Sequence, residues 1–146
     1  MIALGSDNAG LELKNRIMAY LDGLGLKYKD FGTFVDEKCD YPVYAVAAAN
    51  AVAVGECEKG ILVCGTGVGI SIAANKVRGI RCVVCSEPYS ALMSRRHNDT
   101  NMLALGARVL GIELALVIVK AWLDSEFDGG RHSVRVKQIM DIEDRF

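Results

Sequence analysis

The sequence predicts one doubly wound, three-layer α/β domain built on a five-stranded parallel sheet, and three observations carry that reading. Short apolar runs alternate with longer stretches of helical period, the mark of successive βαβ units. No linker, internal repeat or low-complexity segment divides the chain, so residues 1–146 form a single domain. A chain of 146 residues can bury roughly 70 % of the surface that its unfolded form exposes.

Taken in order, Ile2–Ser6 is the first strand. A helix from about Gly10 to Leu24 follows, with Leu11, Leu13, Ile17, Leu21 and Leu24 near one face. Gly25 breaks it before a second strand, Leu26–Phe31. The polar loop Gly32–Asp40 leads into Asp40-Tyr41-Pro42, where Asp40 is a candidate helix cap and Pro42 suits the first turn. Val43–Val54 is then an alanine-rich, well-buried helix. Gly60–Cys64 is the third strand, Gly65–Asn75 a glycine-rich turn and helix, and Ile80–Cys85 the fourth strand. Glu87–Arg96 is helical, since Pro88 is tolerated in a first turn. Met102–Leu105 is a short fifth strand, Gly111–Phe127 a strongly apolar helix and Ser133–Asp144 a charged terminal one.

Composition narrows the partners. The formal net charge of −1 gives no general attraction to nucleic acid or to an anionic membrane, so any anion needs a local cluster of cations. No run approaches about 18 apolar residues, which argues against a membrane span. Met1–Asp7 lacks the basic and apolar regions of a signal peptide. The five cysteines (39, 57, 64, 82 and 85) leave an odd one in any pairing, so free thiols in a reducing cytoplasm are expected.

In doubly wound sheets ligands sit beyond the carboxyl ends of the strands. That rule selects Ser6-Asp7-Asn8, Cys64–Gly69, Cys85–Glu87 and Gly106-Ala107-Arg108. Cys64 precedes glycines at every second position, Gly65, Gly67 and Gly69. Such a turn exposes backbone N–H groups that favour an anion, and it can lower a free thiol from about 8.5 by one or two units. A strand-end cysteine also serves as a small buried hydrophobe, and both readings stand at this point. The run departs from G-x-G-x-x-G at Ile70, although Glu87 lies where a ribose-binding acid would, so a nucleotide module stays open. Cys82 and Cys85 form C-x-x-C, but alternation on a strand sends them to opposite faces. With His97 and His132 the only histidines, there is no zinc pattern.

Two polar clusters remain. His97-Asn98-Asp99-Thr100-Asn101 either turns the chain or supplies a titrating histidine. Gly129–Arg135 brings Arg131, His132 and Arg135 to a helix start, where they are solvated charge or a phosphate clamp, with Arg108 a third guanidinium.

Together these motifs closely resemble the B-type ribose-5-phosphate isomerases, of the wider family that includes galactose-6-phosphate isomerase subunits. The resemblance runs through Gly5-Ser6-Asp7-Asn8-Ala9-Gly10, Asp40-Tyr41-Pro42, Cys64–Ser71, Cys85-Ser86-Glu87-Pro88-Tyr89, His97–Asn101 and Gly129-Gly130-Arg131-His132. It implies a flavodoxin-like or Rossmann-like sheet, no metal and no other cofactor, and a cytoplasmic homodimer or pair of dimers with an active site shared between subunits. The implied reaction interconverts ribose 5-phosphate and ribulose 5-phosphate. Cys64 would move the proton between C1 and C2, and His97 would assist ring opening, with Asp7 and Thr66 near the ring oxygen and hydroxyls. The Gly65–Gly69 backbone, including Gly67 and Val68, would hold the enediolate with Asn98. Arg108, Arg131 and Arg135 would grip the phosphate, and Asn8, Tyr41 and Ser71 would complete the substrate contacts. Asn8 stands where the family commonly has histidine, so it can donate a hydrogen bond but carries no charge. Three alternatives stay open: a six-carbon substrate such as allose or galactose 6-phosphate, a non-catalytic nucleotide module, and a thiol redox protein using Cys82 and Cys85.

Overall fold

Five strands and six helices alternate along residues 1–146, all of which the computed structural model describes. In chain order they are β1 Ile2–Ser6, α1 Leu11–Gly23, β2 Tyr28–Asp30, α2 Tyr41–Ala53, β3 Lys59–Cys64 and α3 Val68–Ala74. There follow β4 Cys82–Val84, α4 Pro88–Asn98, β5 Met102–Gly106, α5 Ile112–Leu123, α6 Arg131–Asp141 and a 3₁₀ turn, Ile142–Asp144.

The period-2 alternation of β1, β3 and β5 divides the core. Leu4, Ile61, Val63, Leu103 and Leu105 pack under α1 and α5, with Ile17, Leu21, Ile118 and Trp122. Ala3, Leu62, Cys64, Met102 and Ala104 face α2 and α3, where Ala45, Ala48 and Ala49 bring helix and sheet close. The alanine-rich helix is buried on that side only: Val43, Val46 and Val54 are exposed.

All pairings are parallel, in the order β2-β1-β3-β5-β4. Relative to the flavodoxin order of 2-1-3-4-5, the last two strands are exchanged. The chain leaves β1 toward β2 on one side and later returns to β3 on the other. The crevice of a doubly wound sheet therefore opens between β1 and β3, at Asp7 and Cys64.

Several boundaries move for local reasons. The edge strand β2 keeps only the three residues that pair with Ile2–Leu4 of β1. α5 stops at Leu123, and the Asp128 N–H beyond it donates to the Arg96 carbonyl, turning the chain toward α4. α4 runs on to Asn98 and ends where Asp99 takes the left-handed conformation, φ 47°. Asp40 precedes α2, but its side chain makes no capping bond. Leu24, placed on the apolar face of α1, is exposed, and Lys14 is buried there instead. No helix is long and apolar enough to cross a membrane.

Candidate active site

Cys64 ends β3 opposite Gly106 of β5 and is 4 % exposed. Its Sγ accepts the Gly67 N–H at 3.1 Å. Gly67 has φ +79°, and a Cβ there would stand 2.9 Å from the Leu105 carbonyl carbon and from a Val84 methyl. A Cβ on Gly106 would lie 2.6 Å from the Thr66 carbonyl oxygen. The two glycines thus let the turn and the end of β5 interlock, which holds the Gly67 N–H against the thiol. Ala107 N–H donates to the Cys64 carbonyl and Arg108 N–H to that of Gly65, each at 2.9 Å.

The cationic and aromatic walls follow from this turn. Arg108 lies alongside Gly65, with Nη1 3.3 Å from where a Cβ would stand. The Tyr41 ring covers Gly69, its Cζ only 2.5 Å from the corresponding position. Thr66 is exposed, and its hydroxyl oxygen accepts the Val68 N–H at 3.3 Å while its own proton stays free to donate. Ser71 differs, being buried with its hydroxyl donating to the Val68 carbonyl at 2.7 Å, so its proton is used inside α3.

On β1, Asp7 Oδ1 accepts the Gly10 N–H at 3.0 Å. Gly10 crosses β3 so closely that a Cβ would meet the Val63 carbonyl oxygen at 2.4 Å. Asn8 Oδ1 accepts the Cys39 N–H at 3.2 Å, which leaves the Asn8 amide hydrogens as donors. Asp7, Asn8, Tyr41, the Cys64–Gly69 turn and Arg108 therefore share the carboxyl end of the sheet.

The remaining expected residues lie at the other end. α4 runs back along the sheet, so its last turn, with His97 and Asn98, sits beside the start of β5 at Met102. Four strand residues separate that level from Cys64, about 13 Å along the strands. His97 stacks on His132 with ring centroids 4.2 Å apart and planes 9° from parallel. Burial and the neighbouring His97 and Arg131 hold His132 below the usual histidine range. Asp128 accepts from Arg96 Nε at 3.1 Å, which holds its carboxyl below the usual range, and lies 4.0 Å from His97 Nε2. Arg131 and Arg135 open α6 on the same surface, exposed and without an acidic partner. His97, Asp128 and His132 are close enough to suggest a metal site. However, an ion between parallel rings would sit outside both ring planes, where imidazole has no lone pair.

The sequence pattern of the family described as Ribose/Galactose Isomerase matches residues 2–139. The chain belongs to this family. It is 59 % identical to ribose-5-phosphate isomerase B of Escherichia coli (strain K12) over 144 residues, covering 99 % of this chain and 97 % of that one. It is 46 % identical to D-erythrulose-4-phosphate isomerase of Pectobacterium atrosepticum, covering 94 % and 91 %. The solved structure of Clostridium thermocellum ribose-5-phosphate isomerase B superposes with TM-score 0.97 at 54 % identity, covering 99 % and 97 %.

Within this Ribose/Galactose Isomerase member, the residues behind the competing readings are occupied by local structure. Glu87 caps α4, both carboxylate oxygens accepting the Ser90 N–H at 2.9 and 3.0 Å, so it is engaged locally rather than free for a ribose. Cys82 and Cys85 pack on opposite faces of the sheet, as alternation requires, and all five cysteines are free. Burial pushes the Cys82 thiol up to about 12 and the Cys85 thiol up to about 11, which opposes thiolate redox chemistry at this pair. A cavity of about 730 Å³ lies along the edge strand β4 and shares only Asn98 with the expected site.

Sequence reasoning passed over several supporting groups. Arg81 donates to the Asn98 and Asp99 carbonyls, and Arg95 to the Thr100 carbonyl and Asp99 Oδ1. Together they clamp the turn after His97. Lys14 was legible only as a charge interrupting an apolar stripe, which ordinarily means a solvated residue.

Proposed function

We propose that this isomerase interconverts ribose 5-phosphate and ribulose 5-phosphate by enediolate proton transfer, with Cys64 as the base. The observation that carries this reading is the glycine turn, which presses the Gly67 N–H onto the Cys64 sulfur while the Arg108 guanidinium lies alongside the next residue, Gly65. Aldose–ketose isomerisation needs a base at a C–H bond next to a carbonyl and donors for the oxygen that becomes anionic. Cys64 supplies the first, and the Gly65–Gly69 backbone the second. The proton removed from C2 of the aldose returns to C1, so no redox partner is consumed. Asp7 and Thr66 serve the ring oxygen and hydroxyls during opening.

His97, Asn98, Arg131 and Arg135 lie too far from Cys64 to serve it in the same chain. We therefore read the enzyme as a cytoplasmic homodimer whose two-fold axis brings the amino end of one subunit to the carboxyl end of the other. The partner's His97 then opens the furanose ring, and the partner's Arg131 and Arg135 join Arg108 on the phosphate. Binding of the unreactive phosphate positions the reacting carbons. Exposed Val43 and Val46 of α2 and Val68 and Ile72 of α3 flank the site and offer apolar surface for that contact. The five free thiols fit the location.

A second reading keeps the chemistry and shortens the sugar, because a 46 % identical relative carries a four-carbon name and Asn8 brings no charge to the phosphate end. Turnover of four-, five- and six-carbon aldose phosphates separates the readings, with ribose 5-phosphate expected to give the highest kcat/KM. Cys64→Ala should lower kcat by about 10²–10⁴-fold while a non-isomerisable pentitol phosphate still binds in calorimetry. Wild-type turnover in that variant would refute the cysteine base.

A further inference from the structure

We infer that Lys14 is a positioning residue that fixes the Thr33–Asp40 strap over the Cys64 half-site. The inference rests on the isomerase reading above. Lys14 occupies a core stripe of α1 with Leu13, Ile17 and Leu21 and is fully buried. An apolar side chain would fill this position without removing a charge from water, and such replacements of buried ion pairs are often neutral or stabilising. Packing alone therefore does not call for lysine.

The ammonium finds its partners where the chain leaves β2. It donates to Asp30 Oδ1 and to the Thr33 carbonyl, each at 2.6 Å, and its nitrogen lies 5.4 Å from the Phe34 ring centre. The same Asp30 oxygen accepts the Gly32 N–H at 2.9 Å. This junction is stitched to the end of β1: Ser6 N–H donates to the Gly32 carbonyl at 2.7 Å, and Thr33 N–H to the Ser6 carbonyl at 2.6 Å. Lys14 thus locks the strap's first residue one position from Asp7.

From Phe34 to Lys38 every residue is exposed. At its far end the Cys39 N–H donates to Asn8 Oδ1, and two residues on Tyr41 covers Gly69. The strap therefore connects a buried cation to the groups that orient the Asn8 amide and the Tyr41 ring. In the isomerase reading both contact the substrate rather than the transferred proton. Loosening the anchor should weaken binding and spare the chemical step.

The test is Lys14→Met in the full chain, assayed with ribose 5-phosphate alongside amide hydrogen exchange. KM should rise about tenfold with kcat within about twofold of wild type, the pattern of lost binding that is uniform along the reaction. Exchange should quicken at residues 33–39 and stay unchanged at 61–64. Asp30→Asn keeps an oxygen acceptor and should show a smaller rise. Should Lys14→Met not fold, Asp30→Ala removes the ammonium's charged partner and the acceptor of the Gly32 N–H from a partly exposed site and should reproduce the direction of the KM effect. Unchanged KM in a folded variant, or a fall in kcat alone, would overturn the role. Inactive wild type would instead refute the isomerase reading, and the strap's exchange rates would still decide whether Lys14 anchors it.

Discussion

His132 is held below the ordinary histidine range by burial first, and then by the His97 and Arg131 charges, with Arg135 adding and Asp128 opposing. The folded protein therefore binds fewer protons at this site than the unfolded chain does. Stability from this source is present above the unfolded value of about 6.5 and is lost as pH falls through and below it. Urea denaturation at pH 7.5 and 5.5 should show wild type losing stability across that interval and His132→Asn losing less. Equal losses would remove the assignment. The carboxyl of Asp128, lowered chiefly by its bond to Arg96, acts in a more acidic window, since its contribution disappears only as pH falls through its own depressed value. Two largely buried cations hold backbone at the two ends of the sheet: Lys14 binds the Thr33 carbonyl at one, and Arg95 the Thr100 carbonyl in the turn after His97 at the other.

At the level of elements, the glycine turn is the most constrained piece of the site. Gly67 combines a left-handed backbone with contacts that leave no room for a methyl group, whereas Gly55 has φ +80° and nothing within 4 Å of where a methyl group would stand. Gly55→Ala should cost about 1 kcal/mol and Gly67→Ala about 2–3 kcal/mol, read by urea denaturation, because only the second adds crowding to backbone strain. Gly67→Ala should also lower kcat by at least about tenfold, since the N–H on Cys64 shifts; a fully active variant would show the contact to be dispensable. The strands were legible because Leu4, Ile61, Val63, Leu103 and Leu105 alternate with residues of the opposite face. The exchange of β4 and β5 was not, because an apolar run marks a strand without marking which strand it pairs with. Lys14 was hidden for a different reason: a single charge on an amphipathic helix normally finds water, and only the fold puts Asp30 and Thr33 within its reach.

For the whole molecule, the decisive feature is that the expected site divides between opposite ends of one sheet. Sequence motifs record residue types but not the end of the sheet that each reaches. The consequence was nonetheless implicit in the βαβ pattern, since a helix between two parallel strands must end near the amino end of the second. His97 closes such a helix, so the proposed pairing with Cys64, at a carboxyl end, calls for a second subunit. Mixing two inactive variants, Cys64→Ala and His97→Asn, under conditions that exchange subunits separates a shared site from one confined to a single chain. A mixed dimer carries one site with both substitutions and one with neither, so activity should return to about one quarter of wild type at statistical exchange. A mixture that stays inactive, although subunit exchange is demonstrated, would contradict the shared site and the catalytic pairing of Cys64 with His97.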